Sequence, residues 1–287
     1  QGMDVGLVAQ RDNGRAVGIA ESIQTALDDD GVSTRLDAAT AAALGEPTMT
    51  TDTVGDAGGN SNVGIFQACD LVVSIGGDGT FLFAARAAGG APMLGVNLGE
   101  VGFLNAVSPE NAVAAVREAV EAIDADDHEI REAPRLTARC EGFESVPAVN
   151  EIVVTGPRRG PGGGATFRVT IDGSEYTHSH ADGVMIATPT GSTAYNLSED
   201  GPIVHPSIGA LIVNEMCGVD GMPPLVVGGD CEVTVAVDDA DHAIVVSDGR
   251  RPHEIETPAA ITVSRAETPV RLVGPVADFF AALDKLS

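Results

Sequence analysis

Lysine is nearly absent from this chain: Lys285 is the only one among 287 residues. Arginine does not make up the deficit, because Lys and Arg together number 16 against 42 Asp and Glu, for a formal net charge of −26. A surface that negative repels nucleic acid and anionic membranes, so neither is expected as a partner. A Walker-type phosphate loop, which depends on its lysine, is excluded as well. Long hydrophobic runs are also missing. No segment reaches the roughly 18–20 apolar residues of a membrane span, and no secretory signal pattern opens the sequence. Cys69, Cys140, Cys217 and Cys231 are scattered with no C-x-x-C pair. That argues against a disulfide frame or a zinc site and for a reducing, cytoplasmic location. His178 and His180 alternate along an expected strand, but no third ligand stands at motif spacing, and no metal-ligating set is assigned.

What the chain does have is apolar content. At 44% hydrophobic residues it is too rich for disorder, despite its charge. The combination fits a folded protein of a salt-accumulating microbe, because at molar salt screening confines self-repulsion to about 3 Å. The length allows two domains of ordinary size. Gln1-Gly2 ahead of Met3 reads as a remnant of tag removal and is set aside.

Residues 3–131 alternate strand and helix patterns, which predicts an α/β N-terminal domain with a parallel sheet. Strands are expected at 3–8, 71–75 and 91–96, and a helix at 15–27 with Gly31 as its stop. Residues 48–64, rich in Gly, Thr and Asp, read as a surface loop. Val113, Val116, Val120 and Ile123 share one face of a helix over 109–123. After Glu132 short β-rich runs alternate with turn residues, predicting a mostly-β, sandwich-like C-terminal domain over 132–275. Asp172-Gly173 and Asp248-Gly249 are hairpin-turn dipeptides. Residues 156–164 read as a flexible hairpin tip. A last helix over 276–286 is placed to pack back on the first domain.

Four segments carry chemistry. Gly76-Gly77-Asp78-Gly79-Thr80 follows the apolar run 71–75 and precedes a helical pattern. Glycines at a strand-to-helix turn let a ligand approach the backbone, and N–H groups at the helix start hold an anion such as phosphate. Asp78 is the odd member: it is either a helix N-cap or a group that does chemistry or holds a metal. Asn97-Leu98-Gly99-Glu100-Val101-Gly102-Phe103-Leu104 is a second glycine cluster after a strand, where open α/β sheets bind ligands; taken alone it reads first as a loop needing positive φ at Gly99 and Gly102. Asn150-Glu151 pairs an amide with a carboxylate at a strand start, suited to a ribose diol or an amide ligand, although a plain polar pair at a strand start is the commoner case. Residues 182–198, from Asp182-Gly183 through Thr188-Pro189-Thr190-Gly191-Ser192-Thr193-Ala194-Tyr195-Asn196-Leu197-Ser198, form a turn dense in hydroxyls. With a helix start behind it, that turn is a second anion or ribose cradle.

In order and approximate spacing these segments resemble the NAD kinase family, together with Gly201-Pro202-Ile203-Val204-His205-Pro206 and from Val5 to about Gly249. The T-P-T-G-S-T-A-Y run is the most specific part. The G-G-D-G-T run alone is shared with lipid kinases of the diacylglycerol and sphingosine type. The resemblance implies transfer of a phosphoryl group from ATP, or polyphosphate, to the 2′-hydroxyl of the adenosine ribose of NAD, with Mg²⁺ as cofactor. It implies Asp78 as general base or metal holder, with Gly76, Gly77 and Gly79 leaving room for phosphates. It implies Asn150 and Glu151 on the adenosine ribose or base, and Asp182 on the nicotinamide side. Thr193, Ala194, Tyr195 and Ser198 would line the adenine and ribose pocket. Thr80, Asn97, Gly99, Phe103, His180, Thr190, Ser192, Asn196, Leu197 and Arg250 complete the implied nucleotide-binding set. With lysine nearly absent, charge on the transferring group falls to Mg²⁺, backbone amides and an arginine such as Arg86, which also fits a plain surface position. The chain departs from the common pattern at His180, where arginine is frequent, at Arg250, where glutamine is, and over 213–217. The family implies a homodimer or homotetramer. A related lipid or sugar kinase and a non-catalytic NAD(P) sensor are the alternatives; the Asn-Glu and T-P-T-G-S-T-A-Y segments argue against the first and Asp78 against the second.

Overall fold

Leu71–Ile75 is buried at all five positions and lies inside a parallel sheet. A strand of this kind has no solvent face because helices cover both sides of the sheet. The structure is a computed structural model describing residues 2–46, 64–99, 103–160 and 163–284. The loop expected over 48–64 therefore lies outside the described residues, Gly64 excepted. So do Gln1, Glu100–Gly102 of the second glycine cluster, Pro161-Gly162, and Lys285 and Leu286 of the last expected helix. The chain divides into two compact units, residues 1–132 with 270–287, and residues 133–269.

In the first unit the sheet runs Ser33–Leu36, Asp4–Ala9, Leu71–Ile75, Pro92–Val96, Val270–Leu272, Arg131–Ala133. Asp4–Ala9 pairs in parallel with Ser33–Leu36 on one side and with Leu71–Ile75 on the other. The winding direction thus reverses between Asp4–Ala9 and Leu71–Ile75. Such a switch point opens a crevice at the carboxyl ends of the strands. Ala16, Ala20, Ile23 and Leu27, at helical spacing along Gly14–Asp29, join the sheet residues Val5, Leu7 and Val73 in one core. Val116 and Val120 enter the same core, with Val113 and Ile123 at its margin. Their helix is Ala112–Asp124; the expected start, Pro109–Asn111, is a 3-10 turn.

Two boundaries differ from expectation. Val270–Leu272 pairs in parallel with Pro92–Val96, so the return to the first unit begins there and not at residue 276. The last helix is Phe279–Leu283, its start fixed by Asp278, whose side chain accepts from Ala281 N at 3.0 Å.

The second unit is a sandwich of two six-stranded sheets with antiparallel pairing. One sheet runs Leu225–Gly228, Ala210–Met216, Gly183–Ala187, Glu151–Thr155, His242–Ser247, Arg250–Glu256. Its Ile152, Val154, Val184 and Ile186 meet Phe167, Val169, Val235 and Ile261 of the other sheet. The alternate residues Val153, Met185 and Ile212 form a separate core with Val204, packed by Tyr195. Both faces of Glu151–Thr155 and Gly183–Ala187 are therefore covered, and both strands are buried throughout. Val233–Val237 in the other sheet alternates buried and half-buried, as a strand with one solvent face does. Asp172 and Gly173 have φ of +48° and +79°, and Asp248 and Gly249 +48° and +65°. Both pairs are hairpin turns of the type that needs positive φ twice. Residues 156–164 are not a hairpin tip: Glu151–Thr155 and Ala165–Ile171 lie in different sheets, so this segment crosses from one sheet to the other.

Candidate active site

The first unit brings two of the glycine segments together. Ala9 is in register with Ile75, and Ile75 with Val96, so three parallel strands end side by side. The turns after them are laced by backbone bonds: Gln10 N donates to Ile75 O at 2.8 Å and Gly76 N to Val96 O at 2.9 Å. Asn105, 1% exposed, donates from Nδ2 to Gly76 O at 3.2 Å and holds the motif turn from below. Asp78 is the first residue of the helix Asp78–Ala88, and the cap position falls on Gly77, which makes no side-chain cap bond. Asp78 is therefore not an N-cap. It is a half-buried carboxylate in the first helical turn, where the positive end of the helix dipole favours its charge.

The three motif glycines differ in what they permit. A Cβ on Gly76 would lie 2.5 Å from Thr80 Oγ1, so that glycine is required by packing within the turn. Gly77 and Gly79 face open space, and Gly77 has φ −89°, which any residue adopts. Neither the fold nor the backbone conformation demands a missing side chain at Gly77, which leaves room for a ligand as the reason for it. Gly99 also faces open space and has no positive φ; Asn97, nearly buried, accepts its N–H at 3.1 Å. Phe103 packs its ring 5.6 Å from that of Phe279. Arg86 is not a surface residue: it is 9% exposed, with Nε donating to Leu82 O at 3.3 Å. It stands eight residues along the helix, about 12 Å of rise from Asp78.

The second unit brings Asn150-Glu151 against the hydroxyl-rich turn. Thr188 N donates to Asn150 O at 2.8 Å, and Thr188 Oγ1 donates to Val149 O at 2.7 Å while accepting Gly191 N at 3.0 Å. From the other side Asp248 clamps the same backbone. Its carboxylate accepts the N–H groups of Val149, Asn150 and Glu151 at 2.9, 2.8 and 3.2 Å, and its own N–H donates to Glu151 O at 3.0 Å. Gly191 lies so close that a Cβ would fall 2.1 Å from Asn150 O and 2.7 Å from its Cα. Gly191→Ala is therefore expected to destabilise the chain by about 1–3 kcal/mol, read as a lower thermal midpoint; an unchanged midpoint would contradict this packing.

Thr190–Thr193 is a 3-10 turn and Tyr195–Ser198 a single α-helical turn. The anion cradle expected from a helix start is thus reduced to hydroxyls and turn N–H groups. Ser192 and Asn196 are fully buried and hold the turn itself. Ser192 Oγ donates to Pro189 O at 2.7 Å and accepts Val204 N at 3.0 Å. Asn196 Nδ2 donates to Ser192 O and Pro202 O, each at 3.1 Å. The accessible side chains are those of Asn150, Asp182, Thr193, Tyr195, Leu197 and Ser198. Thr190 is nearly buried, and Ala194 is half-buried. Arg250 is exposed on the hairpin two residues past Asp248. His180 is exposed, its Nε2 bonded to Gly163 O at 2.9 Å.

Glu151 is 5% exposed. Burial first, and the charge of Asp248 second, push its carboxyl from 4.5 up to about 8. Between those values the folded chain keeps a proton that the unfolded chain has released, so stability falls as pH rises through this window and levels off above it. Glu151→Gln is expected to remove that decline. Its thermal midpoint should gain on the parent's from pH 5 to pH 8, and a constant offset across that range would contradict the assignment.

Asn105 in the first unit and Asp248 in the second hold candidate-site backbone, yet neither had a site role legible in the sequence, while Thr188, expected as part of the hydroxyl cradle, also holds backbone. Asp248 was legible only as half of a turn dipeptide, and its three N–H partners are 97–99 residues away.

Comparison with known proteins matches both units. Residues 5–123 fit the ATP-NAD kinase N-terminal domain and residues 149–274 the ATP-NAD kinase C-terminal domain. The chain belongs to the ATP-NAD kinase family. It is 54% identical over 285 residues to an NAD kinase of Halorubrum lacusprofundi, covering 99% of this chain and all of that protein. An NAD kinase of Haloarcula marismortui is 54% identical over 286 residues, with the same coverage. Among solved structures, an NAD kinase from Archaeoglobus fulgidus in complex with ATP aligns with a TM-score of 0.72 at 26% identity, over 99% of this chain and 97% of that one. Yeast NADH kinase complexed with NADH aligns with a TM-score of 0.80 at 21% identity, over 99% and 87%, a likeness of fold. In this chain the ATP-NAD kinase N-terminal match falls on the parallel-sheet unit with its glycine turn, and the C-terminal match mainly on the antiparallel sandwich.

Proposed function

We propose that the chain is an NAD kinase that transfers the γ-phosphoryl group of ATP to the 2′-hydroxyl of the adenosine ribose of NAD, giving NADP. The observation that carries this is the 54% identity to an NAD kinase over 99% of this chain and all of that protein. In the proposed reaction the ribose oxygen attacks the γ-phosphorus, the bond from that phosphorus to ADP breaks, and Asp78 takes the hydroxyl proton. A carboxylate within hydrogen-bond reach of the hydroxyl does this as the phosphoryl group arrives. The open space above Gly77 and Gly79, beside the first N–H groups of an 11-residue helix, suits a phosphate. In the second unit Asn150 and Glu151 hold the adenosine ribose or base, Thr193, Ala194, Tyr195 and Ser198 line its pocket, and Asp182 takes the nicotinamide side.

Among the described residues no three His, Cys, Asp or Glu side chains gather as a metal cage. Mg²⁺ is ordinarily held by one or two carboxylates together with substrate phosphates, and Asp78 beside the phosphate space fits that donor set. When bound there, the ion would neutralise charge on the phosphates. The net charge of −26 supports function in a salt-rich cytoplasm. We further propose a homodimer or homotetramer, and polyphosphate as the alternative donor. The test is ³¹P NMR of the product: a phosphomonoester on the 2′ position is expected, and a 3′-phosphate or no new ester would overturn the reading.

A further inference from the structure

The segment between Glu151–Thr155 and Ala165–Ile171 carries two adjacent exposed arginines, Arg158 and Arg159. It is pinned to two residues of the candidate site. Gly160 N donates to both carboxylate oxygens of Asp182, at 2.9 and 3.0 Å, and His180 Nε2 bonds Gly163 O at 2.9 Å. Gly164 N closes the turn on Arg158 O at 2.7 Å. Gly164 has φ +83°, and a Cβ there would lie 2.4 Å from Ala181 O, so the chain can pass this point only as glycine. From this anchored turn Arg159 reaches Tyr195, its Nη1 donating to the phenol oxygen at 3.3 Å.

We infer that Arg159 is a phosphate ligand, its guanidinium set beside Tyr195 to receive a phosphate group of a nucleotide substrate. The inference rests on the proposed function, because it takes Tyr195 and Asp182 as ligand-binding residues. Its physical basis is charge. Arg11, Arg15, Arg35, Arg117, Arg139, Arg168 and Arg265 form ion pairs with Asp or Glu. Arg159 donates instead to a neutral phenol, which in turn bonds the Glu199 carboxylate. Among the described residues one of its five N–H groups is engaged, there, and the fork geometry suits two oxygens of one phosphate. In a chain of net charge −26 working in molar salt, a cation acts over only about 3 Å. A polyanionic substrate must therefore be met by groups in contact with it, since the general field of the protein is both negative and screened, and with lysine nearly absent the side-chain cation this chain offers is a guanidinium. Phosphate can come from the dinucleotide or from the donor, and the two are told apart by which Michaelis constant moves.

The test compares Arg159→Ala, Arg159→Lys and Arg158→Ala in the full chain at high salt, with NAD and Mg-ATP varied in turn. Arg159→Ala is expected to raise one KM by about tenfold with a smaller change in kcat. A rise for NAD assigns the dinucleotide phosphates, and a rise for ATP the donor. Arg159→Lys should recover part of the loss, because lysine supplies charge without the fork. Arg158→Ala removes the same charge one residue away and should leave both constants within about twofold. Unchanged constants in Arg159→Ala, or equal shifts in the two alanine variants, would overturn the inference while an active parent leaves the proposed function standing. No NADP from the unaltered chain would instead refute the function.

Discussion

Asp78→Asn should lower the rate of NADP formation by about 10²–10⁴-fold, the usual contribution of a positioned general base, while NAD still binds. Asparagine keeps the size and polarity of the side chain but cannot accept the 2′-hydroxyl proton. The fold should survive the change. The cap position belongs to Gly77, so no cap bond is lost, and the dipole interaction of an acidic residue in the first turn is about 0.3–1 kcal/mol. The loss should therefore appear in kcat, with KM for NAD changed little, because a general base acts on a proton that moves only in the transition state. The bound fraction is read by isothermal titration with NAD. Turnover within tenfold of the parent would remove Asp78 from the chemistry, and loss of NAD binding along with turnover would make it a binding residue instead.

Asp248→Ala should be the most destabilising single change in the second unit. Two buried N–H groups and one half-buried N–H group lose a charged acceptor at once, and each hydrogen bond to a charged group contributes about 1.5–3 kcal/mol. The change also removes a countercharge from Arg135. That residue is 4% exposed, and burial holds its guanidinium down at about 10 against the pull of Asp248. Stripping a buried cation of its counter-charge is strongly destabilising, by about 3–5 kcal/mol. The bonds of Arg135 from Nε to Thr268 O at 2.9 Å and from Nη2 to Pro269 O at 3.0 Å satisfy donors but not charge. A fall in the thermal midpoint of about 10 °C or more is expected, at about 2–4 °C per kcal/mol for units of this size. Where the variant remains folded at lower temperature, KM for NAD should rise as well, since the loosened backbone belongs to Asn150 and Glu151. A midpoint within 2 °C of the parent would show that this carboxylate does not hold the strand.

Local and short-range features of this fold were legible in the sequence. Leu71–Ile75 is an uninterrupted apolar run because both of its faces are covered, and Asp172-Gly173 is a turn because two successive positive φ values select those residues. The strand-to-helix turn at residues 76–80 was likewise local: a strand, glycines and a helix start occupy consecutive positions. Long-range pairings left little trace. Val270–Leu272 is three residues long, too short for a periodicity, and its partner Pro92–Val96 is far off in the chain. Residues 156–164 looked like a hairpin tip because strand patterns flank them, and nothing local tells a hairpin from a crossing between sheets. Within the hydroxyl-rich turn, composition could not separate side chains that face a ligand from those that hold the turn. Ser192 and Asn196 hold the turn through Val204 and Pro202, partners that come from the next segment.

The most direct measurement is product formation by the purified, folded chain in molar salt with NAD and Mg-ATP, followed with an NADP-specific dehydrogenase. NADP should accumulate one for one with ADP as NAD disappears. A chain that is folded and binds both nucleotides yet releases ADP without NADP, or releases neither, would contradict the account.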